Sequence, residues 1–149
     1  MDGHNQIRDE LAKQLKHSHI EYGRIDTEFH VNPPRSIGTG RIDVVWRFDG
    51  DKKAEGVAFE IKTRLPNQSK THVRMDGVRQ LHRCALCGYY PVLVSSRDVY
   101  SDTSGAIYSM KRLIRALGAS YLEVSAHPLR FSLAQDNIPS KIDIPDCLQ

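Results

Sequence analysis

The sequence predicts an α/β protein built on a mixed central sheet flanked by helices, with composition leaving α+β open. Three observations carry that expectation: helical periodicity in three separated segments, strand-length apolar runs between them, and the order helix, strand, strand, strand, helix, strand, then a further helix and strand. Hydrophobic residues make up 40% of the 149 residues and charged residues 26%, which argues against a disordered tail, a collagen-like repeat or a coiled coil.

In the first helix, Asn5 to about His19, Ile7, Leu11 and Leu15 recur every four residues. Gly23 and Pro33-Pro34 bracket an alternating edge strand, Ile25 to Val31, and the Pro- and Gly-containing stretch from Asn32 to Gly40 reads as irregular. A hairpin follows: Arg41 to Phe48, a turn over residues 49–53, and Val57 to Thr63. After a polar loop from Arg64 to His72, a second helix from Arg74 to Cys87 carries a stripe of Val78, Leu81 and Ala85, with Gly88 as its stop. Tyr89 to Ser95 reads as a buried strand. Ser104 to Leu117 is an amphipathic helix with Ile107, Met110, Leu113, Ile114 and Leu117 inward, capped by Asp102 or Ser104 and ended by Gly118. Tyr121 to Ala126 reads as the last strand. Residues 1–127 are thus one domain, and residues 128–149, with Pro128, Pro139 and Pro145, a tail packed on it or extending from it.

Charge and cysteines narrow the class. The 21 Lys+Arg exceed the 18 Asp+Glu by three, and the excess is concentrated: Lys62, Arg64, Lys70, Arg74, Arg79 and Arg83 face only Asp76 in that stretch. Arg64, Lys70, Arg74 and Arg79 are candidate phosphate contacts, against the alternative of a solvated face. Three cysteines cannot close a disulfide framework and fit a reducing, intracellular compartment. No apolar run suits a membrane span, and the polar start does not read as a secretory leader.

The hairpin holds the chemistry. Alternation puts Asp43 on one face of its strand and Ala58, Glu60 and Lys62 on one face of the next. If the register matches, Asp43, Glu60 and Lys62 converge, giving two hard-oxygen donors for a divalent cation with a charged group beside them. The plainer reading is a set of cross-strand ion pairs.

Gly40-Arg41-Ile42-Asp43-Val44-Val45, sixteen residues between Asp43 and Glu60, Phe59-Glu60-Ile61-Lys62-Thr63, and Gln80 in the following helix resemble the PD-(D/E)XK nuclease superfamily. The resemblance covers roughly two thirds of the chain, residues 5 to 95; Ile42 stands where the motif has its Pro. It implies a restriction-endonuclease-like core with the helix, three strands, helix, strand order. It also implies that Asp43, Glu60 and the Ile61 carbonyl ligate Mg²⁺, with Mn²⁺ as a substitute, and that Lys62 serves the nucleophile or the developing charge. Glu10, about 60° from Ile7 around the first helix, is the candidate helix acid, and Gln80 resembles the Gln of RecB-type and VRR-NUC members. Cys84 and Cys87 are expected to pack rather than hold metal, since zinc wants four ligands and the cluster-bearing members use four cysteines.

The expected function is a divalent-metal-dependent DNA endonuclease without a small-molecule cofactor or membrane partner. Junction resolution by a homodimer, as in archaeal Holliday-junction resolvases, stands beside a RecB-like or restriction-type nuclease and a catalytically silent nucleic-acid-binding module. The segments Ser104 to Leu117 and Tyr121 to Ala126 are the candidate dimer interface, against the alternative that they cover the far end of the sheet.

Overall fold

The computed structural model describes residues 3–18, 23–32, 40–49, 54–100, 110–139, 142 and 145–148. They form α1 (His4–His17), β1 (Arg24–Val31), β2 (Gly40–Arg47), β3 (Gly56–Lys62), α2 (Lys70–Leu86), β4 (Tyr89–Ser96), α3 (Arg97–Tyr100), α4 (Met110–Ala116), β5 (Ser120–Ser125) and β6 (Arg130–Gln135), then a 3-10 turn, Asp146–Leu148. The architecture is α/β. The six strands lie in the order β1-β2-β3-β4-β5-β6. β1-β2, β2-β3 and β5-β6 pair antiparallel, whereas β3-β4 and β4-β5 pair parallel, so the sheet is mixed.

Each face of the sheet is closed by helices because its side chains alternate. On one face Val44, Trp46, Phe59, Ile61, Val94 and Leu122 pack with Ile7, Leu11 and Leu15 of α1, the four-residue spacing that predicted the helix. On the other, α2 and α4 cover Leu93 and Tyr121 through Leu81, Met110 and Ile114. β3 sits at the centre with both faces covered, and Gly56 to Ile61 are all buried. On the Asp43/Glu60 face, α2 covers Glu60 while Asp43 beside it stays partly exposed, so the energetic cost of a charge is highest at Glu60.

Three sequence expectations need correction. The segment read as a tail contributes a sheet strand: β6 pairs with β5, Phe131 is 4% exposed, and Ile142 and Leu148 join the α1-side core. Its short alternation, Phe131 and Leu133 between Pro128 and Pro139, carries too little apolar signal to stand out without a partner strand. The second helix begins at Lys70, four residues before the predicted start, because the Ser69 hydroxyl accepts from the His72 N–H at 3.4 Å. Its buried stripe is Val73, Gly77, Leu81 and Cys84; Val78 is partly buried and Ala85 is exposed.

The candidate dimer segments are used within the monomer. Met110 and Ile114 of α4 are fully buried, and β5 is paired on both sides. Residues 101–109, which include Ile107 and the expected caps Asp102 and Ser104, lie outside the described residues. No helix among the described residues is long and apolar enough to cross a membrane.

Candidate active site

The antiparallel ladder sets the site. Val44 faces Phe59, which places Asp43 and Glu60 side by side on neighbouring strands, and the Asp43 Oδ2 accepts the Ile61 backbone N–H at 2.8 Å. Glu60 is 1% exposed; its Oε1 lies 3.5 Å from the Cys84 Sγ, which donates to it from α2. Burial, and next the negative charge of Asp43, push the Glu60 carboxyl up to about 8. At neutral pH Glu60 therefore holds its proton unless a cation offsets the two carboxylates. Burial, followed by the charge of Glu60, likewise pushes the Cys84 thiol up, which makes it a structural hydrogen-bond donor rather than a nucleophile.

Asp43, Glu60, Ile61, Lys62 and Gln80 line one cleft of about 430 Å³. The Lys62 ammonium donates to Asp76 on α2, and Asp76 also accepts from Arg79 at 2.6 Å. Hydrogen bonds from Arg79 and Lys62 hold the Asp76 carboxyl down to about 2. The Gln80 Oε1 is buried, with no hydrogen-bond partner among the described residues. A buried amide oxygen left without a donor is costly, and a site that receives a cation is one place where that arrangement makes chemical sense.

Two expectations do not survive the geometry. Glu10 does not line the cleft: its Oε1 accepts from the Gln14 amide at 3.1 Å, and that amide also reaches the Leu129 carbonyl. Six residues at about 100° each put Glu10 some 120° around α1 from His4, the residue that does reach the cleft. Arg74 is not a surface cation. It is 4% exposed, and its Nε donates to the Val99 carbonyl at 2.7 Å, tying α2 to α3. The other proposed phosphate contacts are more accessible: Lys70 and Arg79 are exposed, and Arg64 is partly so, with its Nε on the Gln68 carbonyl.

Sequence reasoning missed five residues that line the cleft, Asn5 and Thr63 among them, and the other three are ionisable. His4, in the first turn of α1, places its Nε2 3.2 Å from the Asp43 Oδ1, and its ring pKa is raised chiefly by the hydrogen bond to Asp43. Glu28 stands level with Asp43 on β1, since Thr27 pairs with Val44 and Phe29 with Ile42. Its backbone is left-handed, with φ 49°, and its carboxylate is held by Arg8 at 2.7 Å and by Arg41 at 3.6 Å. Arg41 itself is the third, at the mouth of the cleft. Nearby, a side chain at Gly40 would strike the Arg83 guanidinium at 2.4 Å, so Gly40 lets that cation approach β2. A histidine three residues ahead of the apolar stripe and an acid in an edge strand carry no local signal of their own.

Cys84 is buried and Cys87 partly buried, both as free thiols, and Cys147 lies against Ser18. Among the described residues, no three His, Cys, Asp or Glu side chains are gathered closely enough to hold an ion by themselves. Comparison of the chain with protein-family models, with curated proteins and with solved structures finds no match.

Proposed function

We propose that this protein is a divalent-metal-dependent DNA phosphodiesterase with a restriction-endonuclease-like core of the PD-(D/E)XK type. The observation that carries the reading is the pairing of Asp43 with a buried Glu60 across β2 and β3, at the wall of a cleft that also holds Lys62 and Gln80. The donor set fits a hard cation: two carboxylates, the Ile61 carbonyl and the unpartnered Gln80 oxygen are all oxygen ligands. A Mg²⁺ or Mn²⁺ ion held there would neutralise phosphate charge and lower the pKa of a bound water.

The chain's own residues supply orientation and charge. The Ile61 N–H fixes the Asp43 carboxylate, so its second oxygen faces the cleft in one geometry. Asp76 holds the Lys62 ammonium at the cleft wall, where a cation meets an anionic phosphate or the developing charge on it. Arg41 at the mouth, with Lys70 and Arg79 exposed on α2, adds positive charge for the flanking phosphates.

Purified protein incubated with branched, single-stranded and duplex DNA tests this directly. Cleavage should require Mg²⁺ or Mn²⁺, stop with chelator, and fall by about 100-fold or more in Asp43→Asn and Lys62→Ala. Wild-type rates in either variant would end the reading.

A further inference from the structure

We infer that the apolar pocket at the ends of β3, β4 and β5, beside the active-site cleft, takes one unpaired pyrimidine base, so that the substrate is DNA with a single-stranded nucleotide at the cleavage point. The inference rests on the proposed phosphodiesterase site and deepens it by naming the class of DNA.

The parallel pairing of β3, β4 and β5 brings three strand ends together. Thr63, Ser96 and Val124 stand at those ends, and with Ala126 they line a pocket of about 130 Å³. The crevice outside the carboxyl ends of parallel strands is where open α/β sheets bind their ligands. Ile7 of α1 and Leu129 extend the apolar lining, and the exposed Ala126 sets one side of the pocket at the surface. Lys62 and Thr63 line both this pocket and the cleft that holds Asp43 and Glu60. A phosphate in the cleft and the base attached to it thus have neighbouring places on either side of one residue pair.

Size and chemistry select the occupant. An apolar cavity of about 150 Å³ holds one benzene ring, so this pocket suits a single six-membered ring rather than the fused pair of a purine. The polar edge of a base can be met by the Thr63 and Ser96 hydroxyls; Ser96 donates to Asp98 and keeps its oxygen as an acceptor. A phosphate has no such match, because its charge would exchange water for aliphatic carbon.

The loop after Thr63 adds a separate feature. Leu65 is 61% exposed, and its turn is closed by Gln68: the Leu65 N–H donates to the Gln68 Oε1 and the Gln68 N–H to the Leu65 carbonyl, both at 3.0 Å. The Arg64 Nε donates to the Gln68 carbonyl, also at 3.0 Å. An apolar side chain held in water on a fixed turn, two residues beyond Thr63, is the kind of wedge that enters a base step and parts the stack. A base inside a duplex has to leave its stack to reach such a pocket, and an unpaired base leaves most easily.

Fluorescence anisotropy in EDTA, where no cleavage intervenes, tests the pocket with short abasic DNA chains carrying one T, one A or no base. Wild type should bind the one-T chain about 10-fold more tightly than the other two. Adding that chain should shift the methyl resonances of Ile7, Val124 and Leu129. Ala126 is exposed, so Ala126→Phe fills the pocket from the surface without entering the core, and this variant should lose the preference for T. Equal wild-type affinity for the one-T chain and either of the others, unshifted methyl resonances, or an unchanged preference in Ala126→Phe would overturn the inference. Cleavage is read separately with Mg²⁺, and single-stranded DNA should be cut about 10-fold or more faster than duplex; equal rates would also overturn it. Protein that prefers the one-T chain but cuts no DNA would keep the base pocket and remove the phosphodiesterase reading.

Discussion

Glu60 carries two burdens at the residue scale, being almost fully buried and adjacent to another carboxylate. Both favour its neutral form, so Glu60→Gln, of the same shape and always uncharged, should fold with an unchanged or slightly raised thermal midpoint. Cleavage should nonetheless fall by about 100-fold or more, because an amide is a poor substitute for an anionic ligand. Thermal unfolding beside a cleavage assay separates the two effects; a variant that unfolds would mean that Glu60 acts structurally. Asp76 gives the opposite sign. Its carboxyl is held at about 2 in the folded protein by Arg79 and Lys62, against about 4 when unfolded. Its contribution to stability is therefore fully present above pH 4 and is lost as pH falls towards 2. Asp76 is partly exposed, so the contribution is about 1 kcal/mol rather than the full value of the shift. Acid titration of stability should be shallower between pH 4 and 2 in Asp76→Asn than in wild type.

Strand β6 and helix α2 decide the next two outcomes. A chain cut after residue 127 loses β6, Ile142 and Leu148, uncovering part of the α1-side core and leaving β5 as a raw edge. It should fail to give a cooperative unfolding transition. Phe131→Ala is the milder probe, and its expected cost is about 3 kcal/mol, measured by denaturant titration. On α2, Arg74 has exchanged a surface role for an internal one: its side chain joins the helix to the carbonyls of Asp98 and Val99. Arg74→Ala should lower stability by roughly 2 kcal/mol through those unmet carbonyls. An Arg74 variant is thus the wrong probe of nucleic-acid contact, although its position in a basic stretch suggested otherwise.

For the whole molecule, the distribution of charge matters more than its total. The net +3 is small, yet the cleft that holds Asp43 and Glu60 has Arg41 at its mouth and Lys62 in its wall, with Lys70 and Arg79 exposed on α2. If these groups meet phosphates, the triple variant Arg41→Ala, Lys70→Ala, Arg79→Ala should reduce the slope of log affinity against log salt by about 2 to 3, with no change in base preference. An unchanged slope would return them to a solvated surface. β5 is internal and the Met110 and Ile114 side of α4 is buried against the sheet, so the surfaces these segments leave for a second copy are the exposed Lys111, Arg112 and Arg115 face of α4 and the edge strands β1 and β6.

Much of this protein could be read from its sequence because local periodicity sufficed. The four-residue spacing of Ile7, Leu11 and Leu15 defined a helix and its buried face, and the alternation around Asp43 and Glu60 placed both acids on one side of a hairpin. Gly88, at φ 90°, ends α2 as expected, since the left-handed turn there needs no side chain. What the tertiary structure decided depends on contacts between residues far apart in the chain. Only the packing of α1 over the sheet shows that His4 rather than Glu10 meets Asp43, and only the approach of α3 to α2 turns Arg74 inward. β6 becomes a strand because β5 offers it a ladder of backbone donors and acceptors, a gain no local pattern of six residues can reveal.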